Sequence, residues 1–208
     1  MNIRNQIKTS FDGKAFERPL FYAYKGGLRF ELSEAGHYLN QFLTAHRKGS
    51  EICEVIFDEN STVSVCIKFF GTNNLLSSLS LFRAFKEAGI VIPKAREYWS
   101  EYSEDEECSE ENQISRWHYV AFQVPNEMLN ILLWCSFATD FGCIQPNPGA
   151  MIYLFNFDKQ IMVWPYDDRG MDVVGKNHNF LKELYKEFND YLLDYDRETI
   201  DKVFGIDL

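Results

Sequence analysis

The stretch "MIYLFNFDKQIMVWPYDDRGMDVV", residues 151–174, decides the fold. Met151 to Phe157 and Gln160 to Trp164 are apolar runs separated by Asp158-Lys159, which predicts a β-hairpin. Tyr153, Phe155, Phe157, Met162 and Trp164 fall on one of its faces. Beyond Trp164 the chain turns through Tyr166-Asp167-Asp168-Arg169-Gly170 into a third run, Met171 to Val174. Asp167 and Gly170 suit the first and fourth places of a type I turn, with the glycine expected in the left-handed region. The Asp167 carboxylate can accept hydrogen bonds from its own turn. Neither argument accounts for Arg169 or Asp172.

Working outward, the predicted elements alternate between hairpins and helices. Ile3, Ile7 and Phe11 suggest a short amphipathic helix over 1–12. Residues 19–24 (PLFYAY) and 28–32 (LRFEL) read as strands around Lys25-Gly26-Gly27. A helix is expected over 34–48, stopped by Gly49. A second hairpin is expected from 51–57 and 62–70 with Glu59-Asn60 as its turn, placing Ile52 opposite Ile67, Ile56 opposite Val63 and Cys53 opposite Cys66. Both of its faces are fairly apolar, so the sheet is expected to be covered on both sides. Asn74 can cap a helix running to about Ala88, and Ile90 to Ile92 reads as a short strand closed by Pro93. Ile114 to Val124 reads as a strand, and 127–140 as a central helix that is apolar all round. Gln145 to Gly149 is a rigid turn. Asn177 can cap a long helix over 178–193. A break at 194–199 then leads to a short helix presenting Ile200, Val203 and Phe204, with Gly205 as its stop. The expected architecture is a single α+β domain over 1–208, mostly antiparallel sheet built from hairpins, with packed helices and a long helix near the C-terminus.

Composition narrows the function classes. The chain has 208 residues, 46% of them hydrophobic and 16% aromatic, which argues for a packed core. Its net charge is −10, and residues 101–111 (EYSEDEECSEE) hold seven acids and no base. The region 101–113 therefore reads as a mobile acidic loop, whose functional reading is contact with a basic partner. An acidic chain is repelled by phosphate backbones, so nucleic acid is not an expected partner. No apolar run approaches the roughly eighteen residues of a membrane helix, and the polar N-terminus does not read as a signal peptide. Five scattered cysteines without a C-x-x-C pair favour free thiols in a reducing cytosol. Zinc, P-loop, dinucleotide and nucleophile-elbow motifs are missing from the sequence, so no cofactor or metal is expected.

Two signatures carry a family resemblance. Tyr166-Asp167-Asp168-Arg169-Gly170 and Asp194-Tyr195-Asp196-Arg197, with "PLFYAY", "GLRFEL" and "TDFGCIQP" (139–146), resemble an uncharacterised bacterial family, domain of unknown function 3885. Where that pattern tends to carry a tryptophan, in "DWILDYDR", this chain has Tyr191 and Leu192. The resemblance implies bacterial origin and one intact domain, and no activity.

The charged residues of these motifs are the candidate site: Asp167, Asp168, Arg169, Asp172, Asp194, Asp196 and Arg197, with Arg29 and Glu31 on the polar face of their strand. Asp196 or Asp194 suits a helix cap. Arg169 and Arg197 each offer a planar fork for a carboxylate. The expectation is that the acid-arginine turn and the acid-arginine helix break face each other and pin the C-terminal helix to the sheet, with Arg169 as a central member. Arg29 and Glu31 form either an exposed pair or part of that network. Two functional readings follow. One is a non-enzymatic binding module, immunity- or antitoxin-like, that neutralises a basic toxin domain. The other is a metal-assisted hydrolase or phosphoryl-handling enzyme using Asp167, Asp168 and Asp172 with Arg169.

Overall fold

The structure is a computed structural model that describes residues 2–58, 62–72, 78–102 and 115–205. In chain order its elements are α1 (Ile3–Ser10), α2 (Leu20–Ala23), β1 (Leu28–Glu31), α3 (Tyr38–Ile56), β2 (Thr62–Thr72), α4 (Leu79–Glu87), β3 (Glu97–Tyr102), β4 (Ser115–Pro125), α5 (Leu129–Phe137), β5 (Met151–Asn156), β6 (Ile161–Asp167), β7 (Gly170–Gly175), α6 (His178–Glu187) and α7 (Arg197–Phe204). The seven strands form one antiparallel sheet in the order β1-β7-β6-β5-β2-β4-β3. The fold is therefore α+β.

Residues 151–174 form the meander β5-β6-β7 that the sequence predicts. Alternation sorts its side chains between two cores. Leu154, Val163 and Val173 join a large core shared with α3, α4, α5, α6 and α7 on one face. Tyr153, Phe155, Met162, Trp164 and Val174 join a second, aromatic core under α1 and residues 11–20 on the other. Both faces of the sheet are thus covered, which explains the near-continuous apolar runs of β2 and β5. Among the described residues, no helix is long and apolar enough to cross a membrane.

Several elements depart from the sequence reading. Residues 51–57 are helical, not the first arm of a hairpin: α3 runs through Gly49 to Ile56. Its buried residues Phe42, Ala45, Gly49, Ile52, Cys53 and Ile56 keep helical spacing across the supposed stop. The pairs expected across that hairpin do not form, and Ile67 lies opposite Val120 and Ile152 instead. Residues 19–24 contain the helical turn α2 rather than a strand. A short apolar run fits either state, and here a carboxylate from β7 binds the turn's backbone. Ile90 to Ile92 is irregular, while β3 forms at 97–102 and takes in Glu101 and Tyr102 from the expected acidic loop. The rest of that loop, the Glu59-Asn60 turn and the Asn74 cap lie outside the described residues. The expected 178–193 helix ends at Glu187, because Leu192 and Leu193 are drawn into extended pairing with β1.

Gly49 has a packing role. A Cβ there would stand 2.7 Å from the Cζ of Phe137, a fully buried ring on α5. Alanine normally favours a helix interior over glycine by about 1 kcal/mol. Gly49→Ala is nevertheless expected to destabilise the protein by about 1–3 kcal/mol, because the α3–α5 contact is overpacked. A urea midpoint at or above wild type would show that Phe137 relaxes freely.

Candidate functional site

Arg29 is the hub of the charged network. Its Nε donates to Asp172 Oδ1 at 2.7 Å and an Nη to Asp172 Oδ2 at 3.1 Å, while its other Nη reaches Asp196 Oδ2 at 3.1 Å. β-sheet register places Arg29 directly opposite Asp172 on the neighbouring strand. Asp172 is fully buried and also accepts the Phe21 N–H at 3.0 Å, which holds α2 against β7. Asp196 accepts the Tyr22 hydroxyl at 2.6 Å. The guanidinium lies 5.0 Å from the Phe21 ring centroid and 5.2 Å from that of Tyr22. Burial pushes the Asp172 carboxyl up, against the pull of Arg29 and the Phe21 N–H. Burial also opposes the charge on Arg29, but its bonds to Asp172 hold it above its ordinary value. Every ionised oxygen of this cluster thus has a partner, as a buried pair requires.

Arg169 has a different place. Asp168 and Arg169 form the two-residue loop between β6 and β7, with Asp167 paired to Gly170. Asp167 accepts the Arg169 backbone N–H at 2.9 Å and its Nε at 3.0 Å, and makes a further, shorter contact with an Nη. The Arg169 side chain is 72% exposed and also reaches Asp140 at 3.7 Å. Arg197 pairs with Asp201 at 3.3 Å and donates to the Asn189 carbonyl at 2.9 Å. Asp194 and Glu31 are exposed. The strand carrying the turn and the C-terminal helix break are thus tied together through Arg29, and neither Arg169 nor Arg197 spans them. Gly170 does not take the left-handed conformation expected of it. Its Cα passes so close to β1 that an added Cβ would lie 2.5 Å from the Phe30 carbonyl oxygen and on top of the Tyr166 hydroxyl.

A second assembly lies beside this network on the aromatic face of the sheet. An open groove of about 760 Å³ is lined by Arg18, Lys68, Phe70, Trp117, Trp164 and Tyr166, with Arg29 and Asp167 at its border. Two cations approach the Trp117 ring: Lys68 Nζ is 4.7 Å from its centroid and the Arg18 guanidinium carbon 5.8 Å. Arg18 also lies 5.2 Å from the Trp164 centroid. Lys68 is nearly buried, and its ammonium makes one long hydrogen bond, 3.5 Å to the Phe16 carbonyl. Burial first, and Arg18 second, bring the Lys68 ammonium down to about 8.

The family model described as "Domain of unknown function (DUF3885)" matches residues 3–196. The chain belongs to this family. No curated protein and no solved structure matches it.

In this member of the DUF3885 family, Asp168 is a buried acid that forms no ion pair among the described residues. It is 6% exposed, and burial, Asp167 and Asp140 raise its carboxyl above the usual aspartate range while Arg169 pulls it down. A folded-state pKa above the unfolded one means that the folded form binds the proton more tightly. The associated stability is present below the unfolded pKa and is lost as pH rises through the folded one. Asp168→Asn is therefore expected to raise the melting temperature at pH 7, the gain closing as the pH falls below the ordinary aspartate range. Equal shifts across the whole pH range would point to an effect other than the charge.

Sequence reasoning missed Arg18, Lys68, Trp117 and Tyr22. One signal was present: in TVSVCIKFF, strand alternation puts Lys68 on the same face as Cys66 and Phe70, a lysine in the middle of an apolar strand. Arg18 gave no such signal, because its place over Trp164 depends on how residues 11–19 cross the sheet.

Proposed function

We propose that the protein is a non-enzymatic binding module, and in its most specific form an immunity- or antitoxin-like protein that neutralises a basic toxin domain. The supporting observation is how the motif acids are used. Asp172 and Asp196 bond inward to Arg29, and Asp167 bonds to Arg169, so the signatures serve the scaffold rather than converge on a reaction centre. The metal-assisted hydrolase reading draws less support from the same geometry, since Asp172, which it needs, is fully buried on Arg29. A basic partner has a physical basis in the net charge of −10. Among the described residues strand β3 pairs only with β4, so it offers an edge for strand addition, and it leads directly into the acidic run of the sequence.

Co-expression with a toxin domain encoded beside this gene tests the reading. Growth rescue, with capture of the toxin by the folded protein and loss of capture at high salt, is the expected result. A folded protein that neither captures nor rescues would sink it. A melting temperature raised by Mg²⁺ or Mn²⁺, and no longer raised in Asp167→Asn, would favour the hydrolase.

A further inference from the structure

The groove of Arg18 and Lys68 has the opposite sign to the rest of the molecule, and the basic-partner reading does not use it. Acids outnumber bases 31 to 21 in this chain, yet this groove holds three cations, Arg18, Lys68 and Arg29, against one acid, Asp167, which is itself bonded to Arg169. Among the described residues neither Arg18 nor Lys68 forms an ion pair. Arg29, the third cation at the rim, is already bonded to Asp172 and Asp196. Glu101 acts on Lys68 from a distance, and its carboxylate sits 3.9 Å from Arg4. The Lys68 ammonium has three donors and one long bond to the Phe16 carbonyl. Holding a nearly buried lysine beside an arginine costs free energy that a bound anion would offset.

Aromatic rings surround the cations. Trp117 meets Phe70 with centroids 5.1 Å apart at 62°, and Phe70, 54% exposed, stands at the mouth of the groove. Such rings offer a flat ligand a face to stack on. The guanidinium offers a fork that fits carboxylate or phosphate oxygens, and the ammonium adds a point charge.

We propose that this groove binds a small aromatic oxyanion, its charged group on Arg18 and Lys68 and its ring against Phe70 and Trp117. The shared chemistry is an oxyanion on a flat ring, and its source is a phosphate monoester or a carboxylate. Two cations favour the dianion. The negative charge over the rest of the molecule disfavours a polynucleotide.

Calorimetric titration of the full chain, with tryptophan fluorescence in parallel, tests this with adenosine monophosphate, adenosine, benzoate and inorganic phosphate. Adenosine monophosphate is expected to bind and change the fluorescence, with benzoate weaker. Inorganic phosphate and adenosine should each be weaker still, by at least about tenfold. If benzoate binds more tightly than adenosine monophosphate, the source is a carboxylate and the site stands. Lys68→Met and Arg18→Gln should each lower the affinity by about tenfold or more, and Phe70→Ala should reduce it toward that of inorganic phosphate. Circular dichroism and melting curves establish that each variant is folded. Adenosine binding as tightly as its phosphate would overturn the anion site, and inorganic phosphate binding as tightly would overturn the stacking. No binding by any of the four at millimolar concentration, or binding unchanged in the Lys68→Met/Arg18→Gln double variant, would overturn the proposal entirely. Growth rescue is independent of these outcomes, so either idea can fail alone.

Discussion

Arg29→Ala is expected to lower the stability of the protein by about 3–5 kcal/mol, a large part of the roughly 5–15 kcal/mol that holds a typical domain folded. The loss comes from what remains behind. Asp172 is fully buried and would keep a single backbone donor, the Phe21 N–H, while Asp196 would keep only the Tyr22 hydroxyl. Two carboxylates would then face each other in a desolvated site. The test is urea unfolding of Arg29→Ala beside Arg169→Ala. Arg169 is largely exposed, and the buried Asp167 it leaves behind keeps the backbone N–H of residue 169, so its removal should cost clearly less than that of Arg29. Equal losses in the two variants would show that Arg29 is not the hub. A third variant, Arg29→Met with Asp172→Leu, removes both charges of the closest pair. Recovery of stability in that variant, relative to Arg29→Ala, would identify the stranded charge as the cause.

The second large effect is expected at Gly170. Alanine there places a methyl group 2.5 Å from a backbone oxygen of β1 and against the Tyr166 hydroxyl. A flexible side chain could move aside; the Phe30 carbonyl cannot move without opening the β1–β7 ladder. Overpacking of this kind costs about 1–3 kcal/mol and sometimes more, and here the ladder also carries the Arg29–Asp172 pair. Gly170→Ala should therefore lower the denaturant midpoint and speed amide exchange along β1. Wild-type protection of the Leu28 to Glu31 amides would refute the argument.

These two predictions mark how far the sequence could be read. The meander at 151–174 was legible because alternation, turn residues and length agree there. Helix α6 was marked by Asn177, whose side chain accepts the Phe180 N–H at 3.2 Å. Residues 51–57 misled because Gly49 has the look of a stop and EICEVIF has apolar residues that suit a strand. What decides the matter is the ring of Phe137, eighty-eight positions away in the chain, which fits only against a glycine in a continuous helix. The candidate site divides in the same way. Its acids were legible as motif residues, and Arg29 was recognised as a possible member. Which arginine meets which acid depends on strand order, since Arg29 reaches Asp172 only because β1 lies beside β7 rather than beside a sequence neighbour. Arg18 and Lys68 come together for an equally non-local reason.

The pairing of Leu192 and Leu193 with β1 has a consequence for assembly. Leu193 N–H donates to the Arg29 carbonyl at 2.9 Å, and Leu192 bridges to Phe30, so the outer side of β1 is occupied by the chain itself. Among the described residues nothing pairs with the outer side of β3, so a foreign strand could add there and not at β1. A sheet open at one end has no means of propagating: two copies joined through β3 would make a closed pair, and a partner strand seated there would terminate it. A sheet with a single open edge can pair there once without building a fibre.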